Sequence, residues 1–315
     1  MIAVTGAAGF IGSNLAHRLA TAGHKLLLVD EPITEAKAPN LAGLQDHRYV
    51  MPTEFLELLP AEKPKLDAIF HLGACSSTTE TDWNYLLHNN VQYTQSLWTW
   101  CTEHRVPFLY ASSAATYGDG SQGFDDRTPP DQLRPLNLYG KSKNDFDIWA
   151  LKEAHTPPTW AGLKFFNVYG PRESHKGNMA SVVYHARKQI KAIGGVKLFR
   201  SNDPAYPDGG QKRDFVFVNE CIDHLLWLWQ QAGVGGVFNS GTAQARTFED
   251  LARAVFLALG KEPNIEFIDM PASLSAQYQN YTQAEMTKLR SLGYTTPATS
   301  LEAGVKQTVE WLDSI

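Results

Sequence analysis

Ile2-Ala3-Val4-Thr5-Gly6-Ala7-Ala8-Gly9-Phe10-Ile11-Gly12 decides how this chain folds. Ile2–Thr5 reads as a short buried strand, and a helical pattern opens almost at once over Ile11–Ala22. The glycines between them have the spacing G-x-x-G-x-x-G. Glycine permits a tight turn and lets the backbone approach a pyrophosphate, which then sits where the first N–H groups of the helix and its dipole favour an anion. Strand, glycine turn and helix together predict a dinucleotide site on Gly6, Gly9 and Gly12. Asp30 closes a second strand, Lys25–Val29, at the position where an acid accepts hydrogen bonds from the adenosine ribose and favours NAD. Glu31 adds negative charge, whereas Lys37 is a cation able to compensate it and hold a 2′-phosphate.

The alternation continues outward from this unit. Ala68–Leu72 reads as a buried strand, Trp83–His104 as a long helix, Val106–Ser112 as a strand and Tyr139–Ala154 as a helix. Such alternation predicts right-handed βαβ units and an α/β fold with a doubly wound parallel Rossmann sheet. We assign it to residues 1–170, with about 213–240 a candidate for return to it. After Gly170 the pattern mixes helices (Ser181–Ala192, Glu220–Gln231, Phe248–Leu259, Leu301–Leu312) with short strands (Phe215–Val218, Ile265–Ile268). This predicts a smaller mixed α/β C-terminal substrate domain over 171–315, with an exposed Pro-, Gly- and Asp-rich loop at Ser201–Gln211.

Composition narrows the function classes. The 315 residues are 43% hydrophobic and 19% charged, with a net charge of −5. That balance provides no basic field for nucleic acid or an anionic membrane, so phosphate binding must come from local groups. No apolar run approaches the roughly 18 residues of a membrane span, and the N-terminal stretch lacks the basic region and longer apolar core of a signal peptide. Cys75, Cys101 and Cys221 form an odd set without metal-ligand spacing. The expectation is a cytoplasmic protein without a metal.

Two further stretches carry chemistry. Phe108–Gly118 is a strand that ends in small hydroxyl residues, and open α/β sheets bind ligands at the carboxyl ends of their strands. A serine there can hydrogen-bond a reacting hydroxyl, or be no more than a polar strand exit. Tyr139 and Lys143 are four residues apart and share a helical face. A phenol beside an ammonium gives up its proton more readily, as acid/base work on a sugar hydroxyl requires.

Taken in order, the glycine turn, Ser112-Ser113-Ala114-Ala115-Thr116-Tyr117-Gly118 and Tyr139-x3-Lys143 resemble the extended short-chain dehydrogenase/reductases that modify nucleotide sugars. Within that group, residues 71–80, Phe165–Glu173, His175–Ser181 and Lys212–Val216 resemble the ADP-L-glycero-D-manno-heptose 6-epimerases, and the likeness spans nearly the whole chain. The resemblance implies an isomerase acting on an ADP-heptose, a precursor of the lipopolysaccharide inner core. Hydride would leave C6 for a tightly bound NADP (NAD being the alternative) and return to the other face of the ketone. It places the catalytic serine, tyrosine and lysine on Ser113, Tyr139 and Lys143, and a second acid/base on Lys176. Lys143 and Lys176 would also touch the cofactor. Phe10, Ile11, Asp30, Glu31, Lys37, Asn89 and Val168 would line it, with Leu72, Gly73, Ala74, Cys75 and Ser76.

On the substrate side the resemblance implies Asn167, Asn178, His185 and Tyr278, together with Phe199, Arg200, Ser201 and Asn202. Arg213 is the candidate for the ADP pyrophosphate, because guanidinium pairs bidentately with phosphate oxygens. A homo-oligomer, a pentamer or decamer, is also implied. The chain departs from the family pattern at Glu31, Pro52, Leu72 and Asn178; Glu31 and Pro52 remove features that suit NADP. Other readings stay open: another nucleotide-sugar epimerase, or a dinucleotide-binding sensor without catalysis. A 4,6-dehydratase would need an acid pair after the catalytic hydroxyl, where this chain has Ala114-Ala115.

Overall fold

The computed structural model describes residues 1–62, 65–271 and 278–314. Its central sheet has seven strands: β1 (Ile2–Thr5), β2 (Leu26–Val29), β3 (His47–Val50), β4 (Ala68–His71), β5 (Phe108–Ser113), β6 (Trp160–Phe165) and β10 (Gly235–Ser240). Their order is β10-β6-β5-β4-β1-β2-β3. The pairings that link β3, β2, β1, β4, β5 and β6 are all parallel. Chain order reverses direction at β1 and β4, which makes their carboxyl ends the topological switch point of a Rossmann-like α/β sheet.

The helices follow from local signals. Helix α1 (Phe10–Thr21) begins at Gly9, which supplies no side-chain cap, and has no acid in its first turn. Short helices α2 (Ala38–Leu41), α3 (Pro52–Glu62) and α4 (Trp83–Leu86) follow. The long helix expected over Trp83–His104 is broken into α4, a π-helical turn at Leu87–Gln92 and α5 (Tyr93–His104). Helix α6 (Leu138–Lys152) is capped by Asn137, whose side chain accepts the Gly140 N–H at 2.7 Å. Strands β1, β2, β4 and β6 are buried along their whole length. On one side of the sheet the core closes with Trp98, which meets Phe108, Phe146 and Trp160 edge to face.

The chain divides into two compact units. The first comprises residues 1–118, 126–165 and 222–238; the second comprises 119–125, 166–221 and 239–315. The second unit holds the three-stranded sheet β11-β9-β7 (Ala245–Thr247, Lys212–Phe217, Asn167–Tyr169) and the pair β12-β8 (Ile265–Ile268, Val196–Phe199). It also holds α7 (Val182–Ile193), α9 (Phe248–Ala258) and helices Thr287–Ser291 and Leu301–Asp313. Helix α8 (Val218–Gln230) starts where the expected strand at Phe215–Val218 would have ended. The loop expected to be exposed at Ser201–Gln211 is so only in part, because Gly209, Gly210 and Gln211 are buried. Among the described residues no helix is long and apolar enough to cross a membrane, and no group of three or more His, Cys, Asp or Glu could hold a metal.

Candidate active site

The nucleotide end of the first unit is built on backbone proximity. A Cβ on Gly6 would lie 2.6 Å from the Gly73 nitrogen, and one on Gly73 would lie 2.8 Å from the Gly6 nitrogen. The two strand exits at the switch point therefore touch without side chains, and Gly6 has a φ of 66°. With no cap and no acid in its first turn, α1 leaves its first N–H groups for an anion. This cradle fits a dinucleotide pyrophosphate. Phe10 is buried and Ile11 partly exposed at the helix start.

Asp30 is buried at the end of β2 and already has partners. Its carboxylate accepts the Ala8 N–H at 2.8 Å, the Glu31 N–H at 2.8 Å and the Lys37 ammonium at 3.1 Å. Glu31 is exposed. The cation expected to compensate Glu31 is thus spent first on Asp30.

Beyond β4, Leu72, Gly73, Ala74 and Cys75 are partly exposed and Ser76 is exposed. A buried hydrogen-bond chain fixes this segment. The Gly73 N–H donates to Thr5 Oγ1 (3.1 Å), which lies 2.7 Å from His71 Nδ1; His71 Nε2 lies 3.0 Å from Thr94 Oγ1. Thr94 spends its proton on the Asn90 carbonyl (2.8 Å), so His71 must donate from Nε2 and accept at Nδ1. Burial, with the Lys143 charge nearby, pushes His71 down to about 3 and keeps it neutral. Asn90, in the π-helical turn, accepts the Cys75 N–H and donates to the Cys75 carbonyl and to Ser142 Oγ on α6. Asn89, which the resemblance implies for the cofactor, donates its amide to the Tyr85 carbonyl.

Ser113, Tyr139 and Lys143 come together at the carboxyl end of β5. The Ser113 hydroxyl is near enough to Tyr139 to favour its phenolate, and it accepts the Ala115 N–H at 3.1 Å. Helix α6 can come this close because residue 140 is glycine; a Cβ there would lie 2.8 Å from the Ala115 carbonyl oxygen. The expected acidification of the phenol is reversed here. Desolvation raises Tyr139 above its ordinary value, more than the neighbouring Ser113 hydroxyl lowers it. Lys143 is only 6% exposed, and burial lowers it to about 8 against the opposing pull of Asp147.

The second unit carries the other candidates. Lys176 lies in the loop between Gly170 and Ser181, which Glu173 ties at both ends. The buried Glu173 carboxylate accepts from the Gly170 N–H, the Ser181 N–H and the Ser181 hydroxyl. Arg172 stands at a φ of 68° in this turn, a strained backbone for a residue with a Cβ. Desolvation lowers Lys176, and Glu173 resists the shift. Arg213 on β9 is buried with its guanidinium 5.0 Å from the centre of the Tyr278 ring and 5.5 Å from that of Phe248. Asn167 and Val168 pair with Phe215 and Val216, two and three residues along β9. Arg200, by contrast, is engaged with Asp208 and Asp269, and Ser201 with Asp208 and Asp203. Phe199 and His185 are partly exposed, and Asn178 and Asn202 exposed.

Sequence reading missed Asp147, Lys164 and Glu173, which hold these segments in place. One signal was available: a lysine inside the apolar run Trp160–Phe166 is a buried charge that needs a partner.

The chain is similar over its whole length to known proteins. The family model for the NAD dependent epimerase/dehydratase family matches residues 2–241. A relative named ADP-L-glycero-D-manno-heptose-6-epimerase, from Nitratidesulfovibrio vulgaris strain Hildenborough, is 48% identical over 313 residues, 98% of this chain and 97% of its own. A relative of that name from Fusobacterium nucleatum subsp. nucleatum is 43% identical over 98% of this chain and 97% of its own. The crystal structure of the Helicobacter pylori protein of that name is 29% identical, with a TM-score of 0.85 over 100% of this chain and 96% of that one.

Proposed function

This chain belongs to the NAD dependent epimerase/dehydratase family, and from that premise we propose that it epimerises C6 of ADP-D-glycero-D-manno-heptose to the L-glycero form. The observation that carries this reading is the meeting of Tyr139 and the buried Lys143, one turn apart on α6, with Ser113 at the sheet end that also bears the glycine cradle. The full-length likeness to proteins named for this reaction supports the substrate.

A bound nicotinamide dinucleotide supplies the acceptor, and then the donor, of the C6 hydride. Tyr139 takes the C6 hydroxyl proton on one face, while Ser113 holds the same oxygen by hydrogen bond. Tyr139 starts above its ordinary value, so it needs the Lys143 ammonium on the same helix face to release its proton. Lys143 also holds the nicotinamide ribose. Lys176 serves the opposite face of the ketone; desolvation already shifts it toward the neutral amine a base must be. Arg213, braced by two rings, pairs with the ADP pyrophosphate. The proposed cofactor is NADP, with Lys37 on the 2′-phosphate. NAD is the second reading, favoured by the Asp30 carboxylate at the end of β2. The proposed product feeds lipopolysaccharide inner-core synthesis.

The test is turnover of ADP-D-glycero-D-manno-heptose in D2O without added cofactor, read by proton NMR. The expected outcome is the L-glycero product with protium retained at C6. Solvent deuterium at C6, or no turnover, overturns the reading. Mass analysis of the nucleotide released on denaturation decides between NADP and NAD.

A further inference from the structure

We propose that the buried pair Asp147–Lys164 is a charge-setting device for Lys143: Asp147 holds Lys143 as an ammonium, and Lys164 limits how strongly it does so. The role assigned to Lys143 rests on the function proposed above; the electrostatic coupling does not.

The geometry is closed on every side. Asp147 follows Lys143 by one helical turn on α6 and is 0% exposed. Its Oδ1 accepts the Tyr110 hydroxyl at 2.8 Å. Its Oδ2 accepts the Ser112 hydroxyl at 2.7 Å and the Lys164 ammonium at 2.8 Å. Lys164, 1% exposed, also donates to Thr116 Oγ1 at 2.6 Å and stands 5.2 Å from the centre of the Tyr117 ring. Thr116 in turn donates to the Ser113 carbonyl at 2.8 Å. One network therefore reaches both the helix that bears Tyr139 and Lys143 and the strand end that bears Ser113.

Taking an ion pair out of water costs several kcal/mol per ion, and apolar residues of similar volume often replace such a pair without loss. Its presence next to a second buried lysine has a specific electrical effect. Two cations and one carboxylate share this interior. The other titratable groups near Lys143 are Tyr139 on its own helix, His71 at the end of β4 and Cys75 just beyond it. His71 is held neutral. Asp147 is the main counter-charge for Lys143, and Lys164 is the competitor for it. Burial lowers Lys143, while Asp147 first and Cys75 second raise it, consistent with Asp147 as the larger counter-influence.

The test is the titration of Lys143 in the full chain, followed by NMR on protein labelled with [6-13C]lysine and assigned with Lys143→Arg. Lys164→Met leaves the Asp147 charge unshared and is expected to raise the midpoint by about one unit or more. The double variant Asp147→Asn/Lys164→Met removes both charges, leaves no unpaired ion and is expected to lower it by a similar amount. Shifts of opposite sign establish the device, and the alkaline limb of kcat moves with them while KM stays within twofold. A Lys143 midpoint unmoved in the double variant overturns the proposal and leaves the pair purely structural. Should Lys164→Met fail to fold, the double variant alone decides on the same criterion. Failure of turnover on the ADP-heptose would sink the proposed function without touching this titration.

Discussion

Gly6 and Gly73 stand so close that a Cβ on either would meet the other's backbone nitrogen, at 2.6 Å from Gly6 and 2.8 Å from Gly73. They sit where β1 and β4 end, on the two sides of the switch point. Strand spacing within a sheet is set by backbone hydrogen bonds, so this approach has no slack. Gly73→Ala is expected to push the two exits apart, at a cost of about 1–3 kcal/mol. Thermal unfolding should show the loss, and the purified variant should carry little nucleotide. Normal nucleotide content with an unchanged Tm would contradict this account.

Tyr139→Phe removes the proposed proton carrier but no buried apolar contact. Epimerisation is expected to fall by about 10²–10⁴-fold, while the unfolding midpoint stays within a degree or two. Steady-state turnover and circular dichroism on the same preparation check both halves. Activity within tenfold of the parent would remove Tyr139 from the mechanism.

Lys143 makes stability depend on pH in a defined window. Its ordinary value is 10.5 and burial brings the folded value to about 8. Between those values the unfolded chain binds more protons, so this group makes stability rise with pH there; below 8 its full penalty is present. That penalty has an upper bound of about 3 kcal/mol. Lys143→Met should therefore be the more stable protein at pH 7, and its advantage should shrink by pH 10. Urea midpoints at both pH values test this, and a pH-independent difference would count against it.

His71 acts at the other end of the scale. Its folded value of about 3 lies below the ordinary 6.5, so the unfolded chain binds the extra proton between them. Stability is lost as pH falls below 6.5, by about 1.4 kcal/mol per pH unit for this one group. His71→Asn is expected to be less stable at pH 7 but to lose stability less steeply on acidification. Parallel curves from pH 6.5 to 4.5 would show that His71 is not the sensitive group.

Glu173 ties the loop that carries Lys176. In Glu173→Gln one carboxylate oxygen becomes an amide NH2, facing an N–H or hydroxyl it cannot accept from. A buried unmade bond costs about 1–3 kcal/mol. Faster hydrogen exchange across residues 170–181 and a kcat lowered by about tenfold are expected. Unchanged exchange would mean the loop is held by other contacts.

What was legible in the sequence follows from how strongly each signal depends on local periodicity. Ile2–Thr5 and Ile265–Ile268 are strands at the residues expected, and the helices of the first unit begin close to where their patterns begin. His47–Val50 went unread because an edge strand with polar residues has no apolar run. Trp160–Phe165 went unread because Lys164 interrupts it, although that lysine was the best clue to the network behind the site. Tyr139 and Lys143 were readable from spacing, yet the direction of the Tyr139 shift was not. Spacing reports proximity, whereas desolvation depends on elements far away in sequence.

The chain passes between its two units after residues 118, 125, 165, 221 and 238, so neither is one uninterrupted stretch. A gene encoding the second unit cannot be excised with two cuts, nor grafted whole onto another nucleotide-binding scaffold. Exchanging the second unit with that of another protein needs five junctions to be right at once. A gain of new specificity by domain exchange would have to carry all three of its segments together.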